Sequence, residues 1–482
     1  MVQQQAKPYG FPRKIGLILG PVIFLLINVS GVSCVSPEAT RVISVAVWMV
    51  CWWITEAVDI PVTALLPMFL FPLLEVMPFA DVAVNYGSPI IFLFFGGFIL
   101  ALAMEKVNLH KRIALNIIKL TGSSANGVIL GFMLATALLS MWISNTATAL
   151  VILPIALTMI DFLIRDRIVD EKGSRNFALA TMLGIAYAAN IGGTATVIGT
   201  PPNVVLIGFL ESEYGVEMDF MRWAGIGLPF AMIMLAVAYF VLTRFYKNNL
   251  GNLGISKEVL TSEIQKLGKR SQKENLVLIC FSLTALMWIF RPYVNEALQL
   301  NLGNSQIAII GALLTFTIPV SLGKGDFVLK WEDTRRLQWG ILILFGGGLA
   351  LAKGLSQTGI IDAIGQYVEQ EQFSAQTTTP FLISVMLFMT ELMSNVALVA
   401  VFSPMISGIA QGLGMEFLHL AIPITLASSC AFMLPMATPP NAIVFVSGYI
   451  KVFDMVKVGI LLNVLAIVLL VILSWTLIPW LF

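Results

Sequence analysis

The sequence predicts an all-α polytopic membrane protein with about eleven transmembrane helices plus two re-entrant hairpins in an inverted repeat. Three observations lead there: the composition, a series of apolar runs of bilayer length, and two sets of matched polar blocks. Of the 482 residues, 58% are hydrophobic and 11% are charged, whereas a soluble domain carries about a quarter charged residues. The bilayer is therefore the main solvent. The net charge of +1 gives no bulk attraction to nucleic acid.

The N-terminus, MVQQQAKPYGFPRK, is polar and basic and runs into the first apolar stretch without a small-residue cleavage site, so that stretch reads as a retained helix. Apolar runs follow at 14–33, 40–58, 61–79, 88–105, 177–212, 222–246, 274–294, 305–322, 338–356, 419–449 and 457–481. Each is near the ~20 residues a spanning helix needs, or longer. With the N-terminus inside and the C-terminus outside, all but four of the 28 Lys and Arg residues fall on the cytoplasmic side, from Lys7, Arg13 and Lys14 to Lys324, Lys451 and Lys457. The exceptions are Arg41, Arg222, Arg291 and Lys353. This is the skew of the positive-inside rule.

Two further apolar stretches do not fit as spans. Residues 124–163 have basic clusters at both ends, Lys111, Arg112 and Lys119 before, Arg165, Arg167 and Arg175 after. Both ends are thus expected inside, as a hairpin. Residues 377–412, flanked by Asp362, Glu369, Glu371 and Glu416, form the matching hairpin from outside.

SMWISNTATALVILP (140–154) matches TELMSNVALVAVFSP (390–404) at a constant offset of 250. GGFILALA (96–103) echoes GGGLALA (346–352), and GTPPNVV (199–205) echoes ATPPNAI (437–443) at an offset of 238. The charged loop RDRIVDEKGSRN (165–176) accounts for the difference of 12 residues. Five spans per half, an odd number, make the second copy inverted. Inverted repeats with helices broken at mid-membrane mark secondary transporters.

Each Ser-Asn pair falls at the tip of its hairpin. A helix starting there offers unpaired N–H groups and partial positive charge to an anion. Asn and Ser add donors for a carboxylate and acceptors for a cation. The TPPN blocks break spans 177–212 and 419–449, because proline removes a helix hydrogen bond and frees carbonyls. Freed carbonyls, with Ser, Thr and Asn oxygens, suit a hard cation such as sodium. Neither tip nor TPPN block holds an acid, which argues against a proton relay. Glu391, three residues before Ser394, is the exception, expected to pair with Lys353 or to face a cavity. Glu56 and Asp59 at a span end read as structural. Cys34, Cys51, Cys280 and Cys430 read as buried apolar residues, and His110 and His419 are too far apart in sequence for a metal pair. No HExxH, GxSxG or intramembrane Asp pair speaks for an enzyme, and paired broken helices suit alternating access better than a channel.

These motifs resemble the divalent anion:sodium symporter family, over nearly the whole chain; the paired Ser-Asn tips and MLPMATPPNAIVF (433–445) carry the likeness. The resemblance implies sodium-coupled symport of C4-dicarboxylates (succinate, malate, fumarate) by an elevator mechanism, with citrate or sulfate symport, or sodium-independent exchange, as alternatives. It implies a homodimer in the plasma (cell inner) membrane and no organic cofactor. Scaffold segments would be 1–123 and 257–376, transport segments 124–256 and 377–482. One sodium site would use Ser140, Ser144, Asn145 and the Gly193 carbonyl; the other Thr390, the Met393 carbonyl, Asn395 and the Ala437 carbonyl. Substrate would meet Ser144, Asn145, Thr146, Thr194, Ser394, Asn395, Val396, Thr438 and Pro439. Val396 stands where the first tip has Thr146, removing a hydroxyl and leaving C4-dicarboxylate versus citrate open.

Overall fold

The computed structural model describes residues 10–30, 35–165, 171–251, 254–321, 323 and 325–482. Lys7, Cys34, Arg167 and Lys324 lie outside the described residues. The chain is built from helices. In the first half they are α1 (Phe11–Val29), α2 (Pro37–Thr55), α3 (Ile60–Thr63), α4 (Leu66–Leu73), α5 (Phe79–Asn85), α6 (Pro89–Lys106), α7 (Leu109–Leu120), α8 (Ala125–Ser140), α9 (Asn145–Arg165), α10 (Glu171–Gly193), α11 (Pro201–Tyr214) and α12 (Phe220–Phe245). In the second half they are α13 (Gly254–Lys266), α14 (Gln272–Ile289), α15 (Arg291–Leu298), α16 (Asn304–Thr317), α17 (Trp339–Gln357), α18 (Ile360–Gln370), α19 (Ala375–Met389), α20 (Asn395–Gly412), α21 (Phe417–Ser428), α22 (Pro439–Phe445), α23 (Val452–Trp475) and α24 (Leu477–Leu481). One small antiparallel pair, β1 (Pro319–Ser321) with β2 (Asp326–Phe327), follows α16.

Among the described residues six helical stretches are long and apolar enough to cross a bilayer, or seven if the bent pair α14–α15 counts as one span. This is a polytopic membrane protein. Where the hairpins were expected stand two helix pairs, α8–α9 and α19–α20, with turns at residues 141–144 and 390–394; α20 is itself one of the six helices long enough to cross. Their first arms, 16 and 15 residues long, reach only ~24 and ~22 Å at 1.5 Å per residue, short of a ~30 Å hydrocarbon core. Both TPPN-containing runs are broken as well, α10 from α11 by residues 194–200 and α21 from α22 by residues 429–438.

Several boundaries differ from the sequence expectation. The run 274–294 ends at Ile289 and turns by 85° into α15, where Pro292 cannot continue the hydrogen-bond ladder. Arg291 then sits on the crossing helix and pairs with Glu217 at 2.6 Å and Asp219 at 2.9 Å. The run 305–322 stops at Thr317, ahead of Pro319 in β1, and 61–79 divides into α3 and α4. Three helices, of which α7 and α18 are amphipathic, occupy stretches read as connections. α7 lies on α8, α18 on α20, and α13 beside α7. Lys111–Glu263 and Arg112–Glu274, both 3.2 Å, tie α7 to α13 and α14. Glu56 closes α2 in a left-handed conformation (φ 48°) and pairs with Arg13 at 2.7 Å, a structural role as expected.

The core is centred on α10. From Phe177 through Thr200 every residue is buried, the mark of a helix surrounded by protein. It packs most closely on α8, where small residues let backbones meet: a Cβ on Gly192 would lie 2.3 Å from the Ala137 carbonyl oxygen. α6 crosses α16 in the same way, with a Cβ on Gly96 placed 2.6 Å from the Ala308 backbone. Close approach through small residues is how membrane helices associate when burial against lipid gives no gain. Gly96→Val is therefore expected to force α6 from α16 and to destabilise the protein by about 1–3 kcal/mol, read as a lowered melting temperature in detergent. An unchanged melting temperature would refute the close crossing.

Candidate functional site

At the first tip, α8 ends at Ser140 and α9 begins at Asn145. The Ser140 hydroxyl lies 2.5 Å from Asn145 Oδ1 and 2.7 Å from the Ala189 carbonyl oxygen. At the second tip the Thr390 hydroxyl lies 2.6 Å from Asn395 Oδ1 and 2.5 Å from the Ser428 carbonyl oxygen. Each tip thus gathers a hydroxyl, an amide oxygen and a main-chain carbonyl from the facing broken helix. A hydroxyl has one proton. It can bond one of its two acceptors and leaves the other oxygen–oxygen approach uncompensated. A small cation among the three oxygens removes that conflict, and oxygen donors are what a hard cation takes.

The Ser residues of both tips cap the helices that follow. Ser144 Oγ accepts from the Ala147 N–H at 3.3 Å, and Ser394 Oγ from the Ala397 N–H at 3.5 Å. Their hydroxyl protons stay available. Ser144, Asn145, Thr146 and Ala147 are partly exposed, as are Met393, Ser394, Asn395 and Val396. Beside the first tip is a cavity of about 170 Å³ lined by Ser144, Thr146, Glu105, Arg336 and Gln338 among others, and Gln338 Nε2 reaches Ser144 Oγ at 3.5 Å. Arg336 and Gln338 were not among the sequence candidates; their stretch lacks any repeat motif.

The broken helices are held by a shared device. Asn203 Nδ2 donates to the carbonyls of Gly193 (3.3 Å) and Thr196 (2.8 Å). Asn441 Nδ2 donates to the carbonyls of Ala431 and Leu434, both at 3.0 Å. In each half the TPPN asparagine bridges the carbonyls ten and seven residues back. The sequence expectation made these asparagines oxygen donors to a cation. Their Nδ2 groups close main-chain carbonyls of the broken segments, because an unpaired carbonyl away from water is costly, while Asn203 Oδ1 is buried without a hydrogen-bond partner. Asn190 of α10 links the two halves, with Nδ2 at 3.0 Å from Thr438 Oγ1 and 3.3 Å from Asn441 Oδ1.

The remaining candidates take distinct places. Gly193 faces the first tip: a Cβ there would sit 2.6 Å from Asn145 Oδ1, so only glycine fits. Thr194 is fully buried, and its hydroxyl donates to the Ile191 carbonyl at 2.6 Å. Thr438 Oγ1 accepts from the Asn441 N–H at 3.4 Å. Ala437 and Pro439 lie on a more open segment than residues 191–200, with Pro439 exposed and Ala437 partly so. The carbonyls of Ala189 and Ser428 were missed, since nothing in a side-chain pattern marks a backbone oxygen. Among the described residues Glu391 forms no ion pair with Lys353: its carboxylate accepts from the backbone N–H groups of Phe432, Met433 and Leu434.

The family model for the sodium:sulfate symporter transmembrane region matches residues 13–482. The sodium-dependent dicarboxylate transporter SdcS of Staphylococcus saprophyticus is 37% identical over 99% of this chain and 93% of its own length. SdcS of Staphylococcus aureus strain RF122 is 36% identical over the same shares. The solved structure of Neisseria gonorrhoeae MtrF, one of a class of antimetabolite efflux pumps, superposes with a TM-score of 0.55 at 12% identity over 82% of each chain, a likeness of fold alone.

The asparagine bridges give a direct test. Asn203→Leu removes the side-chain donor from the Gly193 and Thr196 carbonyls, and Asn441→Leu the one from the Ala431 and Leu434 carbonyls, so each is expected to cost about 0.5–1.5 kcal/mol per bond lost. The loss would be read in thermal unfolding of the purified protein. A neutral effect at both positions would contradict the bridging role.

Proposed function

The chain belongs to the sodium:sulfate symporter transmembrane family, and on that premise we propose that it is a sodium-coupled dicarboxylate transporter. In finer terms it is a secondary active symporter of C4-dicarboxylates such as succinate, malate and fumarate. The observation that carries this reading is the pair of oxygen clusters, Ser140–Asn145–Ala189 and Thr390–Asn395–Ser428. Two cation sites, one at each tip, leave a dianion the space between the tips, where the N-termini of α9 and α20 offer N–H groups. Relatives named as sodium-dependent dicarboxylate transporters over almost the whole chain support the same cargo.

Sodium sites at these clusters would include Ser144 and the Gly193 carbonyl in the first half, and the Met393 and Ala437 carbonyls in the second. Substrate would be met by Ser144, Asn145, Thr146, Thr194, Ser394, Asn395, Val396, Thr438 and Pro439. Sodium bound first would organise the tips and raise affinity for the anion, and the coupling would be reciprocal. We read the two halves as an inverted repeat, with 124–256 and 377–482 as the moving part and 1–123 and 257–376 as the scaffold of an elevator. The amphipathic helices α7 and α18, packed on α8 and α20, are suited to be the connectors between them. The reading also places the protein as a homodimer in the plasma membrane, N-terminus cytoplasmic and C-terminus outside. The cavity beside Ser144 and Thr146 would then open toward the cytoplasm.

Uptake of labelled succinate into proteoliposomes tests the function. It should require sodium; equal uptake in potassium would sink the coupling, and full competition by excess sulfate would favour a sulfate carrier. Asn145→Ala and Asn395→Ala should each bring uptake to background while the protein still folds. Sodium-driven uptake at the wild-type rate in either would refute a two-tip site. Val396→Thr restores one hydrogen bond of about 0.5–1.5 kcal/mol, so it should change KM for succinate or citrate a few-fold while sodium dependence holds.

A further inference from the structure

Glu391 is an acidic side chain only 3% exposed, between Thr390 of the second oxygen cluster and the tip. Its Oε1 accepts from the N–H groups of Phe432 at 2.8 Å and Met433 at 2.9 Å, and from Asn463 Nδ2 of α23 at 2.8 Å. Its Oε2 accepts from the Leu434 N–H at 3.1 Å. A buried carboxylate is tolerated only when paired or fully hydrogen-bonded. Here four donors serve that need, three of them backbone N–H groups freed where α21 ends before α22.

The other half joins the same two positions by different chemistry. At the offset of 250, Glu391 corresponds to Met141. At the offset of 238, which also relates the two asparagine bridges, Leu434 corresponds to Thr196. In the first half the Thr196 hydroxyl donates to the Met141 carbonyl at 2.5 Å. Both halves therefore tie the residue after the cluster hydroxyl to the same point in the broken segment. The first does so with one neutral hydrogen bond, the second with a carboxylate and three amides. Hydrogen bonds to an ionised acceptor are roughly twice as strong as neutral ones.

We propose that Glu391 is the positioning residue of the second sodium site. It fixes the unwound segment 429–438 against Thr390 and Asn395, and its buried charge adds attraction for a cation there. Asn463 braces the carboxylate from α23. The inference rests on the reading of the oxygen clusters as sodium sites. The two sites are then unequal: the first is held by neutral groups, the second by a fixed negative charge.

The test measures sodium dependence apart from succinate dependence, using the full chain in proteoliposomes and the purified protein in a sodium-titrated melting assay. Glu391→Gln keeps the shape but loses the charge and presents a donor to one of the amides. It should raise the sodium concentration for half-maximal uptake on the order of tenfold, the worth of one charge-assisted hydrogen bond, and blunt sodium-induced stabilisation. KM for succinate at saturating sodium should stay within about twofold. If Glu391→Gln does not fold, Asn463→Ala carries the test, with a smaller rise of the same kind. A variant whose sodium half-saturation is unchanged, or whose sodium and succinate constants move together, overturns the proposal. A wild-type protein indifferent to sodium would overturn the sodium sites themselves, and this inference with them.

Discussion

The structure depends on one constraint: a helix broken inside a membrane must find partners for the backbone groups it releases. Water is absent, so each free carbonyl or N–H costs several kcal/mol unless protein answers it. Both TPPN-containing runs break, at 194–200 and 429–438, and the chain turns again at the tips 141–144 and 390–394. Asn203 and Asn441 answer the freed carbonyls; Thr196, Glu391 and Ser428 tie each broken segment to its tip. What is left over becomes the site. Ser140 and Thr390 each stand before two oxygens with a single proton, so the oxygens that the fold does not satisfy are the ones a cation can use.

The same constraint explains the glycines and the buried helix at the centre. α10 has to be surrounded by protein because its C-terminal end carries released polar groups, and residues 177–200 are buried throughout. Reaching that burial takes close backbone contact. Gly192 meets Ala137, Gly193 meets Asn145, and a Cβ on Gly199 would come within 2.5 Å of the Gly193 carbonyl oxygen. Asn190 and the edge-on pair Tyr187–Phe432, 5.2 Å between ring centres, then join the two broken helices into one unit. The halves keep corresponding positions in register but do not keep their chemistry: a methionine carbonyl in one is a carboxylate in the other.

Much of this was legible in the sequence, for identifiable reasons. The first hairpin was expected from basic clusters at both ends of 124–163, the second from the acidic flanks of 377–412, and the breaks from Pro in TPPN, because charge and proline act locally. Ser140, Asn145, Thr390 and Asn395 stood out because they recur at a fixed offset. The asparagines of the TPPN blocks were located but their Nδ2 bridges were not foreseen, since sequence does not say which carbonyls an amide reaches. Glu391 was noticed and its partners were not, because they are backbone amides 41 to 43 residues away. The carbonyls of Ala189 and Ser428 leave no trace in residue type. α7 and α18 were passed over because their apolar faces are too narrow to register as spans, and the bend at Phe290 because the apolar run continues across it.

The central claim is that each hairpin tip, with its facing broken helix, holds one sodium ion. The most direct measurement is a high-resolution experimental structure determined in sodium and again in choline. The account predicts two density peaks present only in sodium, one bounded by Ser140 Oγ, Asn145 Oδ1 and the Ala189 carbonyl, the other by Thr390 Oγ1, Asn395 Oδ1 and the Ser428 carbonyl. Empty clusters in saturating sodium, with sodium-driven uptake intact, would contradict it.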